Sequence, residues 1–190
     1  LLEKSADTAA LEFDYLAQAR DYADAFEWIK DTDRFLAWRY KNREADAWQD
    51  HGTISGDKAS LAHALEVYEA ALTYVSRAER PIEWAKSQNN LANTLQIIGK
   101  REPGSEKMEA AIAAYRLALE ELTRERDAKA WAQLQNNLGV ALADFGDKRG
   151  KMDALNQAAF AYDLALDIRT RESEPELWAE TQVNLGSLAM

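Results

Sequence analysis

Apolar residues recur along this chain at spacings of three and four, the mark of helices with one buried stripe. Leu61, Ala64, Leu65, Tyr68, Ala71, Leu72 and Val75 form one such stripe; Met108, Ala111, Ile112, Tyr115, Ala118, Leu119 and Leu122 form its copy. Leu155, Ala158, Ala159, Tyr162, Ala165 and Leu166 form the third. An earlier stripe, Leu11, Tyr15, Ala19, Tyr22, Phe26 and Ile29, predicts a helix from about Ala6 to Lys30, read as the second helix of an incomplete or capping unit. Asp31-Thr32-Asp33 interrupts it and offers N-cap oxygens to the next helix, expected over about Arg34 to Asp50.

Between the stripes runs a second kind of helix. Trp84-Ala85-Lys86-Ser87-Gln88-Asn89-Asn90-Leu91-Ala92 is rewritten as Trp131-Ala132-Gln133-Leu134-Gln135-Asn136-Asn137-Leu138-Gly139, then as Trp178-Ala179-Glu180-Thr181-Gln182-Val183-Asn184-Leu185-Gly186. The period is 47 residues both times, and Tyr68, Tyr115 and Tyr162 each precede one of these tryptophans by 16. A weaker copy, Tyr22 to Trp38, comes first. Self-similarity at such a period marks stacked supersecondary units. It predicts one all-α domain over residues 1–190: a divergent unit at about 10–52 and regular repeats at 57–103, 104–150 and 151–190, the last cut short. Pro81 and Pro175 sit where a helix begins. Gly99 and Gly146 are read as left-handed C-caps, and His51 to Asp57 as a loop. Eight helices of about 18–22 residues are expected.

On a helical wheel Trp84, Gln88, Leu91 and Leu95 share a buried edge flanked by Ala85 and Ala92, and the later copies repeat it through Trp131, Gln135, Leu138 and Leu142 and through Trp178, Gln182, Leu185 and Ala189. The opposite arc carries Lys86, Asn89, Asn90, Asn93 and Ile97, then Gln133, Asn136, Asn137, Val140 and Asp144, then Glu180, Val183, Asn184 and Ser187. In a stack of such helices these rows line one inner surface. Carboxamides both donate and accept, so they suit pairing with the backbone of an extended peptide. Asn90, Asn137 and Asn184 fit that role and the tying together of adjacent helices equally well. Asn89, Asn93 and Asn136 are expected to point farther out, toward a ligand.

Leu138-Gly139-x-x-Leu142-x-x-x-Gly146, followed by Ala158-x-x-x-Tyr162-x-x-Ala165-Leu166, resembles the tetratricopeptide repeat. The match covers about residues 57–190 well and 10–52 poorly. The 47-residue length departs from the family's usual 34, and the Asn-Asn-Leu strings resemble the longer repeats of kinesin light chains and of bacterial repeat proteins. The resemblance implies a right-handed α-solenoid of antiparallel helix pairs that binds a peptide or protein segment in its concave groove. It implies a protein-interaction module or scaffold; a cytoplasmic setting is expected from the lack of cysteine, membrane span and signal peptide, and a non-enzyme from the lack of a catalytic constellation. The family's carboxylate clamp is incomplete here: Glu180 stands where a lysine is expected, and no arginine matches.

Composition narrows the partners. The formal net charge is −10, with acid concentrated toward the two ends, which disfavours nucleic acid or an anionic membrane as a general partner. No cysteine is present, so disulfides and thiolate metal sites are ruled out. No apolar run reaches the length of a membrane span. The two histidines, His51 and His63, have no catalytic or metal-ligating constellation in the sequence, and no cofactor is expected. Trp28 and Trp48 fall off the repeat and are read as partly exposed; Arg77, Arg124 and Arg171 recur at helix ends, where a cation complements the dipole. The chain opens Leu1-Leu2, and the repeat would next place a glycine near position 193; both suit a piece of a longer protein. An alternative to peptide binding is a spacer or self-assembly element, stacking through exposed repeat ends on further repeats or a second copy.

Overall fold

The computed structural model describes residues 14–188, all helix, turn and loop with no strand among them. Eight helices follow one another: α1 (Tyr15–Ile29), α2 (Arg34–Ser55), α3 (Lys58–Leu72), α4 (Pro81–Arg101), α5 (Glu106–Glu121), α6 (Ala128–Arg149), α7 (Met152–Leu166) and α8 (Pro175–Ser187). The part of the first expected helix before residue 14 lies outside the described residues. The lengths differ from the uniform expectation. The helices of the tryptophan series are long, with 22, 21 and 22 residues in α2, α4 and α6. The helices of the tyrosine series have 15, 16 and 15 in α3, α5 and α7.

Where the sequence reads as one repeat domain, the chain groups into two compact units, Leu1–Val75 and Ser76–Met190. In the first, α1 packs on α2 and α2 on α3. In the second, each of α4 to α7 packs on the next, and α4 also touches α6.

Local chemistry starts α2, α4 and α8 as read, and Asp127 adds a cap to α6 that the sequence reading did not single out. Asp33 accepts from the Leu36 amide at 2.9 Å and Asp127 from the Ala130 amide at 3.0 Å, while Pro81 and Pro175 occupy first helical positions where their missing N–H is harmless. The helix ends differ from expectation. Gly99 and Gly146 are not C-caps, and residues 51–55 are not a loop: α4 runs on to Arg101, α6 to Arg149 and α2 to Ser55. The left-handed residues are Gly56, with φ 77°, and Gly150, with φ 62°.

The three interior glycines, Gly52, Gly99 and Gly146, are each 47 residues apart and do a different job. A Cβ on Gly146 would stand 2.5 Å from Leu155 Cδ2, one on Gly99 3.0 Å from the Met108 amide nitrogen, and one on Gly52 2.7 Å from Leu61 Cγ. Each glycine therefore lets the following helix cross almost in contact with the backbone. Farther along the same hairpin a Cβ on Gly139 would stand 2.5 Å from the Tyr162 ring. The buried side of α4 and α6 is accordingly the small-residue strip. Ala85, Ala92 and Ala132 are fully buried, whereas Trp84, Trp131, Leu91 and Leu95 are only half so. Tyr68, Tyr115 and Tyr162 lie against that strip's counterpart, sealed from solvent. Of the wheel's third copy, Gln182 is exposed rather than buried, because no following helix covers α8 among the described residues, and Ala189 lies outside them.

Gly139 and Gly186 occupy the same place in the repeat but opposite environments, since nothing lies within 4 Å of a Cβ on Gly186. Gly139→Ala is expected to lower stability by about 1–3 kcal/mol through overpacking against Tyr162. Gly186→Ala, in the last turn of α8, is expected to raise it by about a few tenths of a kcal/mol, because only a small helix-propensity gain remains there. Urea melts of the two variants check the opposite signs.

Candidate partner-binding face

Lys86, Gln133 and Glu180 stand at the same repeat position on α4, α6 and α8, and all three are exposed. Four residues on, and so one turn along the same face, Asn90, Asn137 and Asn184 are half-buried. Asn89, Asn93, Ile97, Val140 and Asp144 are also half-buried, and Ser187 is exposed. Between α4 and α6 this face holds a shallow recess of about 220 Å³ lined by Lys86, Asn89, Asn90, Leu122, Ala130, Gln133 and Leu134. Lys86 is its only charged lining residue.

The asparagines are tied to one another across helices. The Asn137 carboxamide donates to Asn89 Oδ1 at 3.2 Å and reaches Asn93 Oδ1 at 3.4 Å. One repeat later the Asn184 carboxamide donates to Asn136 Oδ1 at 3.3 Å. The same clasp thus joins α4 to α6 and α6 to α8. Gln133 braces Asn137 from its own helix, 2.8 Å away, and Asn89 donates to Asn90 at 3.2 Å. Gln96 donates to Asp144 at 3.0 Å, where Lys100 adds an ion pair at 3.1 Å.

Asn136 is the clear correction. It is 1% exposed, not turned outward, because its position faces the next helix of the series rather than solvent. It accepts from the Thr181 hydroxyl at 3.1 Å as well as from Asn184, and its own amide reaches Glu180 at 3.4 Å. Asn93 likewise turns to the core and accepts the Tyr115 hydroxyl proton at 2.6 Å. Val183, at the Asn136 position of α8, is 71% exposed; it lies on the stacking side, which no helix covers among the described residues, rather than among the groove residues.

One feature of this region leaves no trace in a hydrophobicity pattern. Arg169 follows Val75 and Leu122 in the 47-residue register, and both of those are buried apolar residues. Arg169 is itself only 1% exposed. Its guanidinium donates to Thr181 Oγ1 at 2.9 Å and to Gln133 Oε1. Burial holds its pKa below the usual arginine value, with Glu180 and Glu174 pulling the other way. The side chain links the turn after α7 to both α6 and α8, directly beneath the amide row.

The first unit carries the same register in altered form. Asn42 is 47 residues before Asn89, and the sequence pattern alone did not single it out; it is buried and donates to the Trp38 carbonyl at 2.9 Å. Asp46, 47 before Asn93, accepts the Tyr68 hydroxyl at 2.6 Å. Burial raises the Asp46 pKa above the ordinary carboxylate value.

The remaining chemistry is structural. His51 lies on α2, with Nδ1 2.8 Å from Ser60 Oγ, and the Ser60 hydroxyl donates to Asp57 at 2.6 Å. Asp57 is the N-cap of α3, so this His–Ser–Asp set closes a turn; the serine proton goes to the cap and Ser60 is buried. Trp48 is half-buried and meets His63 edge-on at 4.8 Å, while Trp28 is 89% exposed. Arg77, Arg124 and Arg171 lie over Trp84, Trp131 and Trp178, 5.0, 5.7 and 5.8 Å from the ring centroids. Arg77 also pairs with Glu120 and Glu121, and Arg124 with Asp167. No cluster of metal-ligating side chains occurs among the described residues, and no described helix is long and apolar enough to cross a membrane. No protein-family model matches the chain, and no curated protein does so.

Two outcomes follow from these contacts. Asn136→Ala leaves Asn184 without its acceptor, while the Thr181 hydroxyl keeps the Leu177 carbonyl at 2.9 Å, and is expected to cost about 1–3 kcal/mol; Asn90→Ala, at a less enclosed position, is expected to cost less in the same chemical melts. Asp46 has its folded pKa raised, so the folded state holds its proton longer than the unfolded one. Its contribution is intact below the unfolded carboxylate pKa and is lost as pH rises through the folded value. Asp46→Asn should flatten that part of the stability–pH curve from pH 4 upward, and melts across that range measure it.

Proposed function

We propose that residues 76–190 form a protein-interaction module of tetratricopeptide-like type, in which α4, α6 and α8 present one face to an extended segment of a partner. The carrying observation is positional. Three successive helices of one series place an exposed polar residue, Lys86, Gln133 or Glu180, one turn before a half-buried asparagine; Asn137 and Asn184 are held by clasps to the neighbouring helix, and Asn90 accepts from Asn89 of its own helix. A carboxamide has two N–H donors and two acceptor positions, so a clasped asparagine still has capacity for a ligand's peptide groups. Its rotamer is already fixed, which reduces the ordering cost of binding. Residues that need burial to hold the stack, Asn136 and Asn93, take no part; the working surface is Lys86, Gln133, Glu180, Asn90, Asn137 and Asn184. The repeat register and helix pairing favour a right-handed solenoid over a closed bundle for this stretch.

Immobilised arrays of short peptides probed with the whole chain test this reading. Lys86→Ala alters an exposed side chain that takes no part in the clasps, and it is expected to weaken the best-bound peptides roughly tenfold, about what one polar contact of 1.4 kcal/mol supplies. Unchanged capture by a Lys86→Glu variant that melts like the parent would remove this face from consideration.

A further inference from the structure

In the second unit a helix of the tryptophan series is covered by the tyrosine-series helix that follows it. On α6 the cover is α7. Tyr162 lies over Gly139, and Ala132 and Gln135 are buried beneath the same hairpin. The α4–α5 hairpin repeats this, with Ala85, Gln88 and Ala92 buried. On α8 the corresponding positions are Ala179, Gln182 and Gly186, and all three are exposed, with open space above Gly186. Val183 beside them is also exposed, and it stands where Asn89 and Asn136 make the amide clasp. The uncovered side of α8 is therefore less polar than its covered counterparts.

We infer that this side of α8 is a docking surface for an amphipathic helix of α7 chemistry, one carrying Ala-x-x-x-Tyr-x-x-Ala-Leu with its tyrosine seated on Gly186. The argument is continuity with an interface that the chain already contains twice. The small residues that admit the cover helix are all retained on α8, including Gly186 in its last turn. The open space above Gly186 admits a ring as close as Tyr162 stands to Gly139. The missing asparagine has its own meaning. A helix of the tryptophan series needs the clasp, whereas a cover helix meets the strip of Ala179, Gln182 and Gly186 and needs no partner at position 183.

The probe is a labelled synthetic peptide of residues 151–168, added to the whole chain and followed by fluorescence anisotropy. Saturable binding is expected. Tyr162→Ala in the peptide, and Gly186→Trp or Ala179→Arg in the protein, are each expected to weaken it by at least about tenfold, as truncation or blockage of a central aromatic anchor does. Both protein substitutions fall on exposed positions, and a matching thermal melt shows that the fold is intact. Displacement of the chain's own α7 is distinguished by Gly186→Trp, which leaves that site untouched. Absence of saturable binding, or binding insensitive to Gly186→Trp, would overturn the inference. So would a chain that sediments as a dimer and becomes monomeric with Gly186→Trp, because a second copy would then be the occupant.

Discussion

The near-contact of helix backbones at one glycine per repeat is the constraint on which the rest of this molecule depends. At Gly146 and Gly99 the following helix turns back so close that a single added methyl would overlap Leu155 or press on the Met108 amide. A crossing that tight fixes how deep the partner helix sits. That depth brings Tyr162 into burial against Gly139, and Tyr115 is buried in the same core as Ala92. With the hydrophobic side of each long helix thus committed to its own hairpin, the edge that remains must meet the next long helix. It does so with amides, because this edge is half-wet and an unpaired apolar row there would gain little.

The amide clasp is a packing device with a polar surface. Asn89 to Asn137 and Asn136 to Asn184 are the same hydrogen bond made twice, between residues 48 apart in sequence. The residue sealed by the next helix, as Asn136 is, serves cohesion, and the residue on the rim, as Asn137 is, keeps one side open. Arg169 shows what a local departure demands. A guanidinium standing where the register has leucine or valine requires acceptors, and Gln133 and Thr181 supply them from two different helices. Thr181 stands where the preceding copy has Leu134, so between these two copies the polar change at Arg169 is matched by a polar change in the element it touches.

Helices, their number and the identity of the repeating faces were legible because the 3.6-residue period and the 47-residue period reinforce each other. The Asp33 cap and the initial prolines Pro81 and Pro175 were legible because their chemistry is local. The glycines were misread because composition cannot distinguish a glycine that permits a left-handed turn from one that permits a close crossing. Gly52 in the same register, inside what reads as a loop, was the available clue. Asn136 was misread because a helical wheel knows directions but not neighbours. Adjacent asparagines 100° apart look alike until a helix covers one of them. Arg169 follows no motif, and only the register, which puts it after Val75 and Leu122, marks it as buried.

The internal repeats also separate what packing requires from what recognition can use. Positions filled alike in successive copies, the Asn90, Asn137 and Asn184 series or the three tyrosines, are those whose neighbours recur and so demand the same side chain. The position four residues before each of those asparagines has no recurring neighbour, and there the copies differ: lysine, glutamine, glutamate. A repeat protein that bound through its repeated residues alone would offer every segment of a partner the same surface. Variation in this exposed row, beside a row of asparagines that stays constant, gives each helix its own electrostatic character.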